Sequence, residues 1–269
     1  MQSENKIIQF FHPGKVSKSG EWNTAEHKRK LIYNMITCVD NKGDSKTQKG
    51  YFWGEWEAQS EVYHSENYYI HTPSYPTPEV INFKSSDLVS VKCSKTNCSG
   101  NNELLNTDPY VFGNYFIYSN CLQKAHKNVL QHLGENDIII FGSLKDDGFV
   151  VDTVFVVDKK VEIKDCSKCF KIATGNLIKN GDYIIYKGKT YNSDKPEDIY
   201  SFFPCSDKPF DRPKLCLDYF HQKKNQDVYY IHKYHSDLTS KKVWSDIKRQ
   251  VIDSGLLIGI KAEEPIEKW

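Results

Sequence analysis

Two apolar runs joined by one tight turn constrain this chain more than any other feature. Asp137-Ile-Ile-Ile-Phe141-Gly-Ser143 and Phe149 to Val157 flank the turn Lys145-Asp-Asp-Gly148. Apolar, β-branched and aromatic runs of this length around an Asp-Gly turn read as a hairpin of buried strands. Asp152 and Thr153 interrupt the second run. A carboxylate there is costly to bury alone, so it faces solvent by alternation or pairs with Arg, Lys or a ligand. Solvent is the simpler expectation. Before the hairpin, Leu122, Ala125, Val129, Leu130 and Leu133 recur at helical spacing, and Gly134 closes that helix.

The other elements follow from similar signals. Ile7 to Phe11 is a short buried strand ending at His12-Pro13-Gly14, and Asn23-Thr24-Ala25-Glu26 has the form of a capping box. That box predicts a basic helix, His27-Lys28-Arg29-Lys30, with Leu31 and Ile32 turned inward. Strands are expected at Tyr33 to Val39 and from Tyr51. Tyr63 to Pro78 holds three prolines and reads as a surface loop. Asn106-Thr107-Asp108-Pro109 is a turn before an aromatic strand, Tyr110 to Tyr118. A second hairpin over Gly181 to Tyr191 would turn at Lys187-Gly188. Asp227 to Tyr234 reads as a strand, and a last helix carries Trp244, Ile247 and Val251 on one face up to Gly255. Leu256 to Ile260 is a terminal strand.

Length and charge bound the function. At 269 residues the chain is large for one domain and comfortable for two. With 36 basic and 35 acidic residues, global charge gives no strong non-specific grip on a phosphate backbone. No apolar run is long enough for a membrane helix, and the start MQSENKIIQ lacks a signal-peptide core, so a cytoplasmic location is expected. Eight cysteines in such a protein read as reduced thiols. Cys93, Cys98, Cys166 and Cys169 could supply four thiolates to a structural zinc, but 67 residues separate the two pairs. Ordinary thiols, and no cofactor, are the preferred reading.

The chemistry concentrates in Tyr51-Phe52-Trp53-Gly54-Glu55-Trp56-Glu57. Alternation puts Phe52, Gly54 and Trp56 on one face and Trp53, Glu55 and Glu57 on the other. An indole beside two carboxylates suits a planar ligand, held by its face and read at its edge. Trp56, on the opposite face, is the tryptophan expected in the core. His12 at a strand end is a candidate general base or ligand partner, with Trp22 and Asn23 just beyond it. Arg29 in its basic cluster could meet phosphate, and Asn106 or Asp108 could project into the same pocket. The bland alternatives are a solvated basic face, a simple turn and tryptophans plugging the core.

Gly134-Glu-Asn-Asp137-Ile-Ile-Ile-Phe141-Gly-Ser followed by Phe149-Val-Val-Asp-Thr-Val-Phe-Val-Val157 resembles the helix–strand–strand segment of PUA-like domains, including the ASCH and EVE types. The His12-Pro13-Gly14, Phe52 to Glu57 and Asn106 to Gly113 motifs are similar to those of a group of uncharacterised prokaryotic proteins. The resemblance covers about 25 residues by its own motif and stops near residue 160. It implies a small β-barrel that binds RNA or modified bases, near nucleic-acid modification and antiphage systems. The resulting expectation is an α+β, β-rich protein: a PUA-like barrel over 1–160 with the ligand pocket, and a C-terminal α+β region over 161–269. Its expected ligand is a nucleotide, a modified base or nucleic acid, bound by Trp53, Glu55, Glu57, Trp56, Trp22, Asn23, Arg29, Asn106 and Asp108. Two other readings stay open: an enzyme on nucleotides or nucleic acid with His12 and Glu55 as acid–base pair, and a protein-interaction module.

Overall fold

The computed structural model describes residues 5–11, 29–40, 42–56, 60–64, 67–73, 89–91, 107–145, 148–174, 183–222 and 227–265. His12, Trp22, Asn23, Glu57, Cys93, Cys98 and Asn106 lie outside them.

The first strands are β1 (Ile7–Phe11), β2 (Lys30–Val39), β3 (Ser45–Gly54), β4 (Ser60–His64), β5 (Tyr69–Pro73), β6 (Val89–Val91) and β7 (Ile117–Tyr118). A single helical turn, α1 (Lys127–Leu130), leads to the long hairpin β8 (Ile138–Lys145) and β9 (Gly148–Val161). Then come α2 (Lys168–Ala173), β10 (Ile185–Gly188), β11 (Phe203–Ser206), β12 (Lys214–Leu215), β13 (Val228–Tyr230), α3 (Ile231–Tyr234), α4 (Ser240–Asp253) and β14 (Leu257–Ala262). The protein is β-rich and α+β, built on two mixed sheets. The first runs β13-β1-β8-β9-β10-β7, with β12 also on β9, and the second runs β14-β11-β3-β2-β5-β4-β6. Where the PUA-like resemblance implies one small barrel, the described strands lie in these two seven-stranded sheets.

Period-two alternation decides where each strand buries its side chains. In β1, Ile8 and Phe10 join the cluster shared by both sheets, whereas Ile7 and Phe11 enter a second cluster with Trp244, Ile247 and Val251 of α4. In β8, Ile139 and Phe141 go to the first cluster, Ile138 and Ile140 to the second. The first cluster also takes Ile32 and Ile36 of β2, Phe52 of β3, and Phe203 and Cys205 of β11. A third, smaller cluster holds Leu31, Tyr51, Trp53, Tyr63 and Ile70. The two sheets join where Val154 and Phe202 exchange backbone hydrogen bonds of 2.8 and 2.9 Å.

Several local expectations change. Lys30 to Ile32 is strand, because Leu31 and Ile32 pair with Trp53 and Phe52 on one side and with Ile70 and His71 on the other. Neighbouring strands thus decide these three residues, while the capping box itself, Asn23 to Glu26, lies outside the described residues. The described part of the Tyr/Pro segment contributes Tyr63 and His64 to β4 and then β5, which lies between β2 and β4. Only Lys127–Leu130 is α-helical in the stretch read as a longer helix, where Leu122 sits at φ 57. Gly188 is no turn residue: it lies in β10, and an added Cβ would come 2.6 Å from Ser201 Oγ. Asp227 to Tyr234 is strand only to Tyr230 and helix after it. A division at residue 160 passes through both sheets, since β13 pairs with β1 and β14 with β2.

Candidate functional site

The β2–β3 register pairs Lys30 with Gly54 and Leu31 with Trp53. One residue further along both chains, it sets Arg29 opposite Glu55, the placement that lets a cross-strand ion pair form. Arg29 Nη1 donates to Glu55 Oε2 at 2.9 Å, with both side chains 1% exposed. Arg29 Nε stands 2.9 Å from Asp152 Oδ2, an ion pair rather than an aligned hydrogen bond. Asp152 also meets Arg212 Nη1, at 3.3 and 3.4 Å from its two oxygens. The Arg212 guanidinium lies 5.8 Å from the centre of the Trp53 ring, and the Trp53 indole donates to the Phe210 carbonyl at 2.7 Å. Trp53, Arg212, Asp152, Arg29 and Glu55 therefore form one continuous buried chain of contacts.

Asp152 reaches this network through a β-bulge. Phe141 pairs with Thr153 and Gly142 with Val151, which leaves Asp152 as the extra residue of β9. Val151 and Val154, three positions apart, consequently point into the same cluster. The carboxylate is buried at 1% exposure, not solvated, because the bulge re-aims it and Arg29 and Arg212 neutralise it.

Around the network lie three further buried ionisable groups. Lys30 Nζ donates to the Trp56 carbonyl at 2.9 Å. His71 is fully buried, and that burial, reinforced by the Lys30 charge, holds its imidazole well below the usual range. Asp108 accepts backbone N–H bonds from Ser119, Asn120 and Cys121 at 2.8–3.0 Å. Burial nevertheless pushes its carboxyl up to about 6, against those bonds and the Arg29 charge.

Of the residues proposed from sequence, the structure brings Trp53, Glu55 and Arg29 together, with Asp108 within reach of the Arg29 charge. Trp56 stands apart, fully buried in the shared core with its ring 5.0 Å from that of Phe112. Trp53 is itself 5% exposed, so its ring serves the network and the third cluster rather than an open surface. One sequence signal does point to Arg212. The chain has only three arginines against 33 lysines, and two of those three are in the network. Arg29 bridges two carboxylates and Arg212 meets both oxygens of one, tasks that suit a planar guanidinium better than a lysine.

Cys166 and Cys169 flank the start of α2, and burial pushes their thiols up to about 11 and 12. Among the described residues no group of three His, Cys, Asp or Glu could hold a metal ion. No helix there is long and apolar enough to cross a membrane. Comparison with protein-family models, with curated proteins and with solved structures finds no match to this chain.

Proposed function

We propose that this protein binds a nucleotide or modified base, with the Arg29–Glu55–Asp152–Arg212 network beside Trp53 as the recognition site. One observation carries the reading: Arg29 Nη2 is buried and has no hydrogen-bond partner among the described residues. An unsatisfied buried N–H costs about 1–3 kcal/mol, and more on a charged group. A base carbonyl or phosphate oxygen would supply the acceptor. Burying four charges also gains little stability over apolar packing of the same volume, which favours a recognition role for them.

The test is mass spectrometry of small molecules released from the denatured purified protein, followed by thermal shift with each nucleotide or base found. A ligand at a hundred times its Kd should stabilise the protein by about 2.7 kcal/mol. Arg29→Lys, which keeps the charge but not the fork, should lose most of that shift. If no nucleotide or base is released, and a millimolar panel shifts nothing, the reading fails.

A second reading, an enzyme on the same ligand class, draws on a different pair than His12 and Glu55. His12 lies outside the described residues, and Glu55 is engaged by Arg29. Asp108, with its carboxyl raised to about 6, and His71, kept neutral, are displaced in opposite directions, as a general acid and base must be. Turnover should then follow Asp108 titration, and Asp108→Asn should abolish it while sparing binding. A turnover rate that is flat from pH 5 to 7 excludes this role.

A further inference from the structure

A cleft of about 520 Å³ opens away from the network, between the 110–117 segment, the turn before α2 and the end of β14. Its volume falls within the roughly 300–1,000 Å³ usual for small-molecule sites. Tyr110, Phe112 and Tyr115 supply aromatic wall, and Asp165, Glu263 and Glu264 supply carboxylates against a single Lys261. No residue of the network lines it. We propose that this cleft binds a small organic cation bearing a protonated amine.

Three observations select that ligand class. Glu264 is a positioned carboxylate: the buried Tyr110 hydroxyl donates to its Oε1 at 2.8 Å. Burial, with Cys169 and Glu264 close by, raises that phenol well above its usual range, so it stays a donor. The backbone makes room at Gly113, whose φ of +84° and missing Cβ let the Glu264 carboxylate approach; a Cβ there would come 3.0 Å from Oε1. The second oxygen of Glu264 has no hydrogen-bond partner among the described residues.

Next, the wall already attracts an ammonium. Lys187 Nζ stands 4.6 Å from the centre of the Tyr115 ring, whose hydroxyl is fixed by donation to the Asp165 carbonyl at 3.0 Å. A ligand ammonium would take the place of Lys187 over that ring, since one face holds one cation. The last observation is charge. Three carboxylates against Lys261 leave the lining itself two units negative, and one unit negative with Lys187 counted, which disfavours phosphates and carboxylic acids. A metal ion is the wrong cation, since no three of the acidic or sulfur groups described converge on one point.

Isothermal titration of the full chain with spermidine at low salt tests this, because spermidine carries protonated amines on an apolar stem. Expected is one-site binding that Glu264→Gln weakens by about tenfold or more, the scale of one lost charge-assisted hydrogen bond. Tyr115→Leu should weaken it as well, while Asp194→Asn, on an exposed turn outside the lining, should not. Glu264→Gln is nearly isosteric, and an unchanged melting temperature will show that its fold is intact. The proposal is overturned if spermidine does not bind at millimolar concentration, if Asp194→Asn costs as much as Glu264→Gln, or if Mg²⁺ displaces spermidine at equal ionic strength.

Discussion

Arg29 holds two carboxylates, Glu55 just past the end of β3 and Asp152 on β9, so its environment sets the energetics of the buried site. Asp152 is the member shared by both arginines. Replacing it by Asn leaves two buried guanidinium groups with Glu55, paired to Arg29, as the network's remaining carboxylate. Removing one partner of a buried ion pair usually costs about 3–5 kcal/mol, because the survivor is uncompensated. Asp152→Asn should therefore lower the stability measured by urea unfolding by that order. A loss below about 1 kcal/mol would mean that water reaches the network.

Asp108 gives a separate residue-scale prediction. Its carboxyl titrates near 6 in the folded chain, above the roughly 3.9 of an unfolded one. The folded state then holds a proton that the unfolded state has lost between these values. Stability from this group is fully present below about pH 4 and falls as pH rises through about 6, a change on the order of 3 kcal/mol. Other carboxylates with lowered values act in the opposite sense, so the difference between wild type and Asp108→Asn isolates the effect. Melting temperatures at pH 4 to 7 should show the two proteins diverging only inside that window.

At the scale of elements, legibility tracked how local each instruction was. The β8–β9 hairpin was readable because its apolar runs and Asp-Gly turn are contiguous in the chain. The α4 face was readable because Trp244, Ile247 and Val251 repeat at helical spacing. Lys30 to Ile32 is strand through pairing with Phe52, Trp53 and Ile70, which lie beyond any window of ten residues. The network was half legible: alternation placed Trp53 with Glu55, and the Asp152-Thr153 interruption marked the bulge. Arg212 arrives from a coil-like stretch 60 residues further on, and no local pattern announces it.

The bulge makes its own demand on the facing strand. Opposite it, Gly142 lies so close to β9 that an added Cβ would sit 2.1 Å from the Val150 carbonyl oxygen. That oxygen belongs to the backbone and cannot swing aside. Gly142→Ala should cost about 1–3 kcal/mol or more, as overpacking does, and should disturb the Asp152 pairing as well. At the other end of the chain, Thr239 caps α4 by accepting from the Lys242 amide at 3.2 Å. Thr239→Ala should cost about 1 kcal/mol and leave the network untouched. Urea unfolding of both variants would rank them, and the reverse order would contradict the packing described for the hairpin.

For the whole molecule, the sheets are sewn from both ends of the chain. β1 lies between β8 and β13, and β14 lies between β11 and β2. The second cluster sets Ile7 and Phe11 beside Trp244 and Ile247. A fragment of residues 1–160 would lose β10 to β14 and α4, exposing the edge of β1, one edge of β2 and one face of the hairpin. Unpaired edges and stripped apolar faces of that kind favour aggregation over folding. The intact chain should therefore unfold in one cooperative transition, and the 1–160 fragment should show no dispersed amide spectrum and no protease-resistant core. Two resolved transitions, or a folded 1–160 fragment, would mean that the N-terminal strands form a core of their own and that the later strands only dock onto it.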